Sequence, residues 1–72
     1  MAITLEAARV NAGYSLKQAS RFIGVTPSAL SNYESGIRDI PGSKLQILIF
    51  KYQISFDEVV LKNKHGEKVE VR

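Results

Sequence analysis

Residues 15–36 read SLKQASRFIGVTPSALSNYESG, and the parsing of this stretch decides the fold. Ser15 is a helix cap. Gln18, three residues on, completes a capping box in which each side chain satisfies the other residue's backbone N–H. Leu16, Ala19, Ser20 and Ile23 recur at helical spacing and predict a helix from Leu16 to Ile23. Gly24 ends it, because glycine takes the left-handed conformation without a steric penalty. Thr26–Pro27 opens the next helix with a cap residue followed by proline at a position that needs no N–H. Ala29, Leu30 and Tyr33 are available for the core, and the helix runs to about Glu34 before Gly36 breaks it. The stretch from Gly24 to Gly36 carries three serines and an asparagine but no lysine or arginine.

The same signals extend outward. Thr4 caps a helix from Leu5 to about Ala12, with Leu5, Ala8, Arg9 and Ala12 on one face and Gly13 as its stop. Residues Ile37 to Gly42 form a loop punctuated by Pro41–Gly42. Ser43 starts a fourth helix to about Tyr52, whose inner stripe is Leu45, Leu48, Ile49 and Tyr52. Ser55 caps a short fifth helix, Phe56 to about Leu61, with Asp57 and Glu58 in its first turn where the helix dipole favours acids. The expectation is an all-α, five-helix domain over residues 1–61 and a polar C-terminal tail over residues 62–72. In the tail, KNKHGEKVEVR, Val69 and Val71 alternate with charges. Either His65–Gly66 turns it back on Val59–Lys62 as a β-hairpin, or it frays.

Composition bounds the function. The 72 residues make one domain, and at 44% apolar content they suffice for one compact core. There is no cysteine, hence no disulfide or thiolate metal site, and a cytoplasmic setting is expected. MAITLEAARV lacks the charged start and long apolar run of a signal peptide. The longest apolar run, Ile47 to Phe50, is far too short to span a membrane. The net charge of +3 is dispersed along the chain and is compatible with a nucleic-acid partner without demanding one. An enzyme is not expected. His65 is the single histidine and sits beside Gly66 in the polar tail, and Asp57 and Glu58 read as helix-start residues. No phosphate-binding glycine loop or metal-ligand spacing is present, so no cofactor, metal or small-molecule ligand is expected.

Two short helices around one glycine turn form the helix-turn-helix pattern. With ISFDEV near the end, residues Leu5 to Val60 resemble the lambda-repressor/Cro-like (Xre) DNA-binding family. The features that carry the resemblance are Ala19 and Gly24 around the turn, Val25–Thr26, Leu30, and the Tyr33–Glu34–x–Gly36 ending. It implies a five-helix fold in which the third helix lies in the major groove and the second meets the phosphates with its N-terminus. Carried over, the base-reading residues are Pro27, Ser28, Ser31 and Asn32, with Ala29 close by. The phosphate contacts are Ser15, Lys17, Thr26, Ser35 and Arg38. The resemblance also implies a partly buried salt bridge between Arg9 and Glu34.

The chain departs from the family at several positions. Leu16 stands where a polar residue, frequently glutamine, is usual, and Pro27 and Asn32 stand where arginine or lysine is frequent. Both changes remove contacts to bases or phosphates. Ile47 and Phe50, one turn apart on the fourth helix, replace residues that are commonly charged or polar. With Ile40 or Ile54 they form an apolar partner surface, unless Val69 and Val71 of the tail cover Phe50. The implied function is a small Cro-like repressor of phage or mobile-element type, binding double-stranded operator DNA as a homodimer. The alternative is an antirepressor that binds a second phage repressor protein through its helix-turn-helix or fourth-helix surface.

Overall fold

The computed structural model describes residues 3–62 and 68–70. Strand β1 (Ile3–Thr4) leads directly into α1 (Leu5–Ala12), followed by α2 (Leu16–Phe22), α3 (Pro27–Ser35) and α4 (Gly42–Tyr52). A single 3-10 turn (Phe56–Glu58) then precedes β2 (Val59–Lys62), and β3 (Lys68–Glu70) completes a three-stranded sheet in the order β1-β2-β3.

Local chemistry explains the helix ends. The Ala7 N–H donates to Thr4 Oγ1 at 3.2 Å, the Gln18 N–H to Ser15 Oγ at 3.1 Å, and the Ala29 N–H to Thr26 Oγ1 at 3.1 Å. The capping box at Ser15 is complete, because the Ser15 N–H donates to Gln18 Oε1 at 2.9 Å. Gly24 has φ +68° in the turn between α2 and α3, and Gly36 has φ +85° where α3 stops. Both angles favour a residue without Cβ. From α4, the Lys44 ammonium reaches across to the Ile23 carbonyl at 3.0 Å, capping the C-terminal end of α2 with a cation.

Each helix turns one face inward. Leu5 and Ala8 of α1, Ala19 of α2, Ile23 at its end, Leu30 and Tyr33 of α3, and Leu45, Leu48, Ile49 and Tyr52 of α4 form one cluster closed by Val59. Leu16, Val25, Ile40 and Ile54 are partly buried against it. Leu16 therefore serves packing, which explains its apolar character near the start of α2.

Residues 56–61 do not form the expected fifth helix. Ser55 makes no side-chain cap hydrogen bond, and the helical conformation lasts one turn. Val59 and Val60 are β-branched and favour extended backbone. They find a parallel partner at the other end of the chain, with Ile3 opposite Val59 and Thr4 opposite Val60. The fold is mostly helical, with four α-helices and a small sheet, rather than all-α. β2 also pairs antiparallel with β3, with Leu61 opposite Val69. The expected turn at His65–Gly66, and Val71, lie outside the described residues.

One polar interaction lies within this core. Arg9 and Glu34 are both only 8% exposed. Arg9 Nε donates to Glu34 Oε2 at 2.8 Å and Nη2 to Oε1 at 3.4 Å, while Nη1 donates to the Tyr14 carbonyl at 2.8 Å. Burial raises the Glu34 carboxyl above its ordinary value, and Arg9 pulls it only part of the way back. Removing Arg9 leaves burial and the Glu6 charge acting on that carboxyl, so it titrates higher still. The folded variant then holds the proton more tightly than the unfolded chain. Its stability is fullest below the ordinary value of 4.5 and falls as pH rises through the raised one. In urea titrations, Arg9→Met is expected to cost about 3 kcal/mol at neutral pH. The loss shrinks near pH 4, and Arg9→Met with Glu34→Leu regains most of it because no buried charge is then left unpaired.

Candidate nucleic-acid interface

The geometry of α3 follows from its inward face. Leu30 is fully buried, and Tyr33 and Glu34 are less than a tenth exposed. At 3.6 residues per turn this burial leaves Ser28, Ser31, Asn32 and Ser35 as one outward stripe headed by Pro27. Pro27, Ser28, Ser31 and Ser35 are exposed, Asn32 is half-buried, and Ala29 is half-buried beside them. Ser35 Oγ donates to the Asn32 carbonyl at 3.3 Å, so its hydroxyl is already engaged within the helix.

The residues assigned to phosphates lie at element ends. Thr26 is exposed at the N-cap of α3, Ser15 at the N-cap of α2, and Lys17 in the first turn of α2. Free N–H groups and the positive end of the helix dipole favour anions at such ends. Arg38 is exposed in the loop after α3, and its backbone N–H donates to the Asn32 carbonyl at 3.2 Å, which ties that loop to the helix. Ile37 beside it is 63% exposed. The sequence reading did not single it out, and only the loop's path away from the core reveals it.

The α4 surface is separate in character. Phe50 is 79% exposed and Ile47 is 41% exposed, so no described residue covers Phe50. Ile40 and Ile54 do not join them as an open patch, because both are half-buried against the core. The other departure from expectation is a cluster that no periodicity signalled. Tyr14, Phe22 and Tyr52, from three different segments, form an aromatic chain.

Among the described residues, no group of three or more His, Cys, Asp or Glu is placed to hold a metal ion. Asp57 and Glu58 lie in the 3-10 turn, and His65 is outside the described residues. No helix among the described residues is long and apolar enough to cross a membrane.

Comparison with known proteins adds one finding. The helix-turn-helix family model matches residues 5–59, which span α1 through the first residue of β2. Among curated proteins nothing matches. The matched segment contains the capped α2, the Gly24 turn and α3, and it covers well over half of the 72 residues. The chain belongs to the Xre/lambda-repressor-like helix-turn-helix family of DNA-binding transcription regulators.

Proposed function

We propose that the protein is a repressor that acts by occupying operator DNA, with α3 in the major groove. The observation that carries this reading is the outward stripe at the start of α3. Ser28 and Ser31 are exposed and Asn32 is half-buried beside them, on a helix whose inner face is fixed by Leu30, Tyr33 and Glu34. Asn32 is the principal reader, because a side-chain amide pairs with the N6 and N7 edge of adenine. Ser28 and Ser31 add single hydrogen bonds, and Pro27 meets a thymine methyl. Ser15, Lys17, Thr26 and Arg38 hold the phosphates and set register, and Ser35 joins them once its hydroxyl turns from the Asn32 carbonyl.

Only Lys17 and Arg38 of this set carry charge, so the dependence of log affinity on log salt is shallow, about −2 per copy. One copy therefore binds weakly. A homodimer on two half-sites about one helical turn apart recovers affinity, because the second contact becomes intramolecular. The exposed Ile47 and Phe50 of α4 support an assembly surface for that purpose.

The same exposure favours a second reading, an antirepressor that keeps the fold and engages another repressor protein, of phage or mobile-element type. Selection from random duplex DNA at low and then moderate salt separates the two. Enrichment of a palindrome is expected. Asn32→Ala should then relax preference at one position of each half-site by about 1–3 kcal/mol. Unselective, purely salt-sensitive binding would overturn the operator reading in favour of the protein partner. Phe50→Lys should lower the mass of the assembly in light scattering while leaving the melting temperature nearly unchanged, and an unchanged mass would remove α4 from the interface.

A further inference from the structure

A second surface lies between the α1–α2 turn, α2 and the end of α4. Here Tyr14, Gln18, Arg21, Phe22 and Lys51 line an open groove of about 420 Å³. Its wall is aromatic. Tyr14 meets Phe22 edge-on, with ring centroids 4.9 Å apart and planes at 88°, and the Lys51 ammonium stands 5.1 Å from the centroid of the Phe22 ring. Tyr14 is backed by Tyr52 at 6.0 Å and held from inside by the Arg9 bond to its carbonyl, so the wall is preorganised.

The polar groups around this wall are nearly all donors. Gln18 has already committed Oε1 to the Ser15 N–H, which leaves its amide nitrogen to donate outward. Arg21 and Lys51 are exposed cations, and among the described residues neither has an acidic partner, since Arg9–Glu34 is the ion pair present. Apolar ring surface flanked by two cations and an amide donor, with no acid lining it, is complementary to an apolar side chain next to carboxylates. The groove is walled on one side and rimmed by exposed residues. A free small molecule would keep much of its surface in water there, whereas a peptide draws on contacts beyond the groove.

We infer that this groove docks an acidic protein segment, which seats an aromatic or aliphatic side chain against Tyr14 and Phe22 and places its carboxylates on Arg21 and Lys51. The surface is independent of the base-reading stripe on α3, so the inference does not rest on the operator reading.

The test uses the full chain and an array of peptides that combine Asp or Glu with Phe, Trp or Leu. Control arrays replace the acids with Lys or the apolar residues with Ser, and phenylbutyrate is the small-molecule arm. Binding of the acidic–apolar set alone is expected, with amide shifts in NMR spectra at Tyr14, Phe22 and Lys51. Arg21→Glu with Lys51→Glu should weaken it at least tenfold and shift preference toward the lysine-bearing array. Arg21→Gln with Lys51→Gln, which leaves no new charge on α2 or α4, should weaken it without that shift. The inference is overturned if no peptide binds, if shifts fall on α3 instead, or if phenylbutyrate binds as tightly as the peptides. It is equally overturned if the Gln variant leaves peptide binding intact and lowers the salt dependence of DNA binding, because the two cations are then phosphate contacts.

Discussion

The buried fork between Arg9 and Glu34 is the constraint on which the rest of the structure depends. It joins α1 to α3, and the remaining guanidinium nitrogen holds the Tyr14 carbonyl in the turn between α1 and α2. Three segments are thus set relative to one another by one side chain. Leu30 and Tyr33 already turn one face of α3 into the core. The paired charge narrows its rotation further, because an unpaired carboxylate in the core is costly. Burial raises the Glu34 carboxyl despite the arginine, and buried ion pairs in general add little net stability over well-packed apolar residues. The contribution of this pair is orientation: Glu34 faces inward, and Ser28, Ser31 and Asn32 consequently face out.

Three outer surfaces of different chemistry follow from four short helices around one core. The start of α3 presents small neutral hydrogen-bonding groups, α4 presents Ile47 and Phe50, and the groove beside α2 presents aromatic rings flanked by two cations, one of them over Phe22. A domain measuring 24 × 24 × 20 Å has little interior, so every helix keeps an outer face for other uses. The absence of lysine and arginine from α3 transfers sequence discrimination to hydrogen bonds and methyl contacts, while nonspecific attraction rests on few charges. The helix-turn-helix scaffold is general to its family, and the recognition of a particular partner resides in these side chains.

Most of the helical framework was legible along the chain. Thr4, Ser15 and Thr26 are caps that act within three residues, Gly24 and Gly36 impose conformation at their own positions, and the apolar stripes follow helical spacing. Such signals are local, and local physics reads them correctly. The resemblance named Arg9 and Glu34 as partners, but only the structure gives the fork with its third bond to Tyr14.

Tertiary structure decided what local signals could not. Ser55, Asp57 and Glu58 look like a helix start, yet Val59 and Val60 extend because Ile3 and Thr4, more than fifty residues away, supply backbone partners. Ile40 and Ile54 pack inward while Phe50 stays out, a division set by where neighbouring elements lie and not by hydrophobicity. The groove joins Tyr14, Phe22 and Lys51 from a turn and two helices, so no spacing along the chain could announce it. By itself the sequence determined the four α-helices, the caps of the first three and the outward-facing start of α3, because capping and periodicity operate within a few residues. α4 instead begins at Gly42 behind Pro41, with no side-chain cap at the Ser43 start that the sequence suggested. The sheet, the fork geometry and the groove required the folded chain, because their energies depend on groups that only folding brings together.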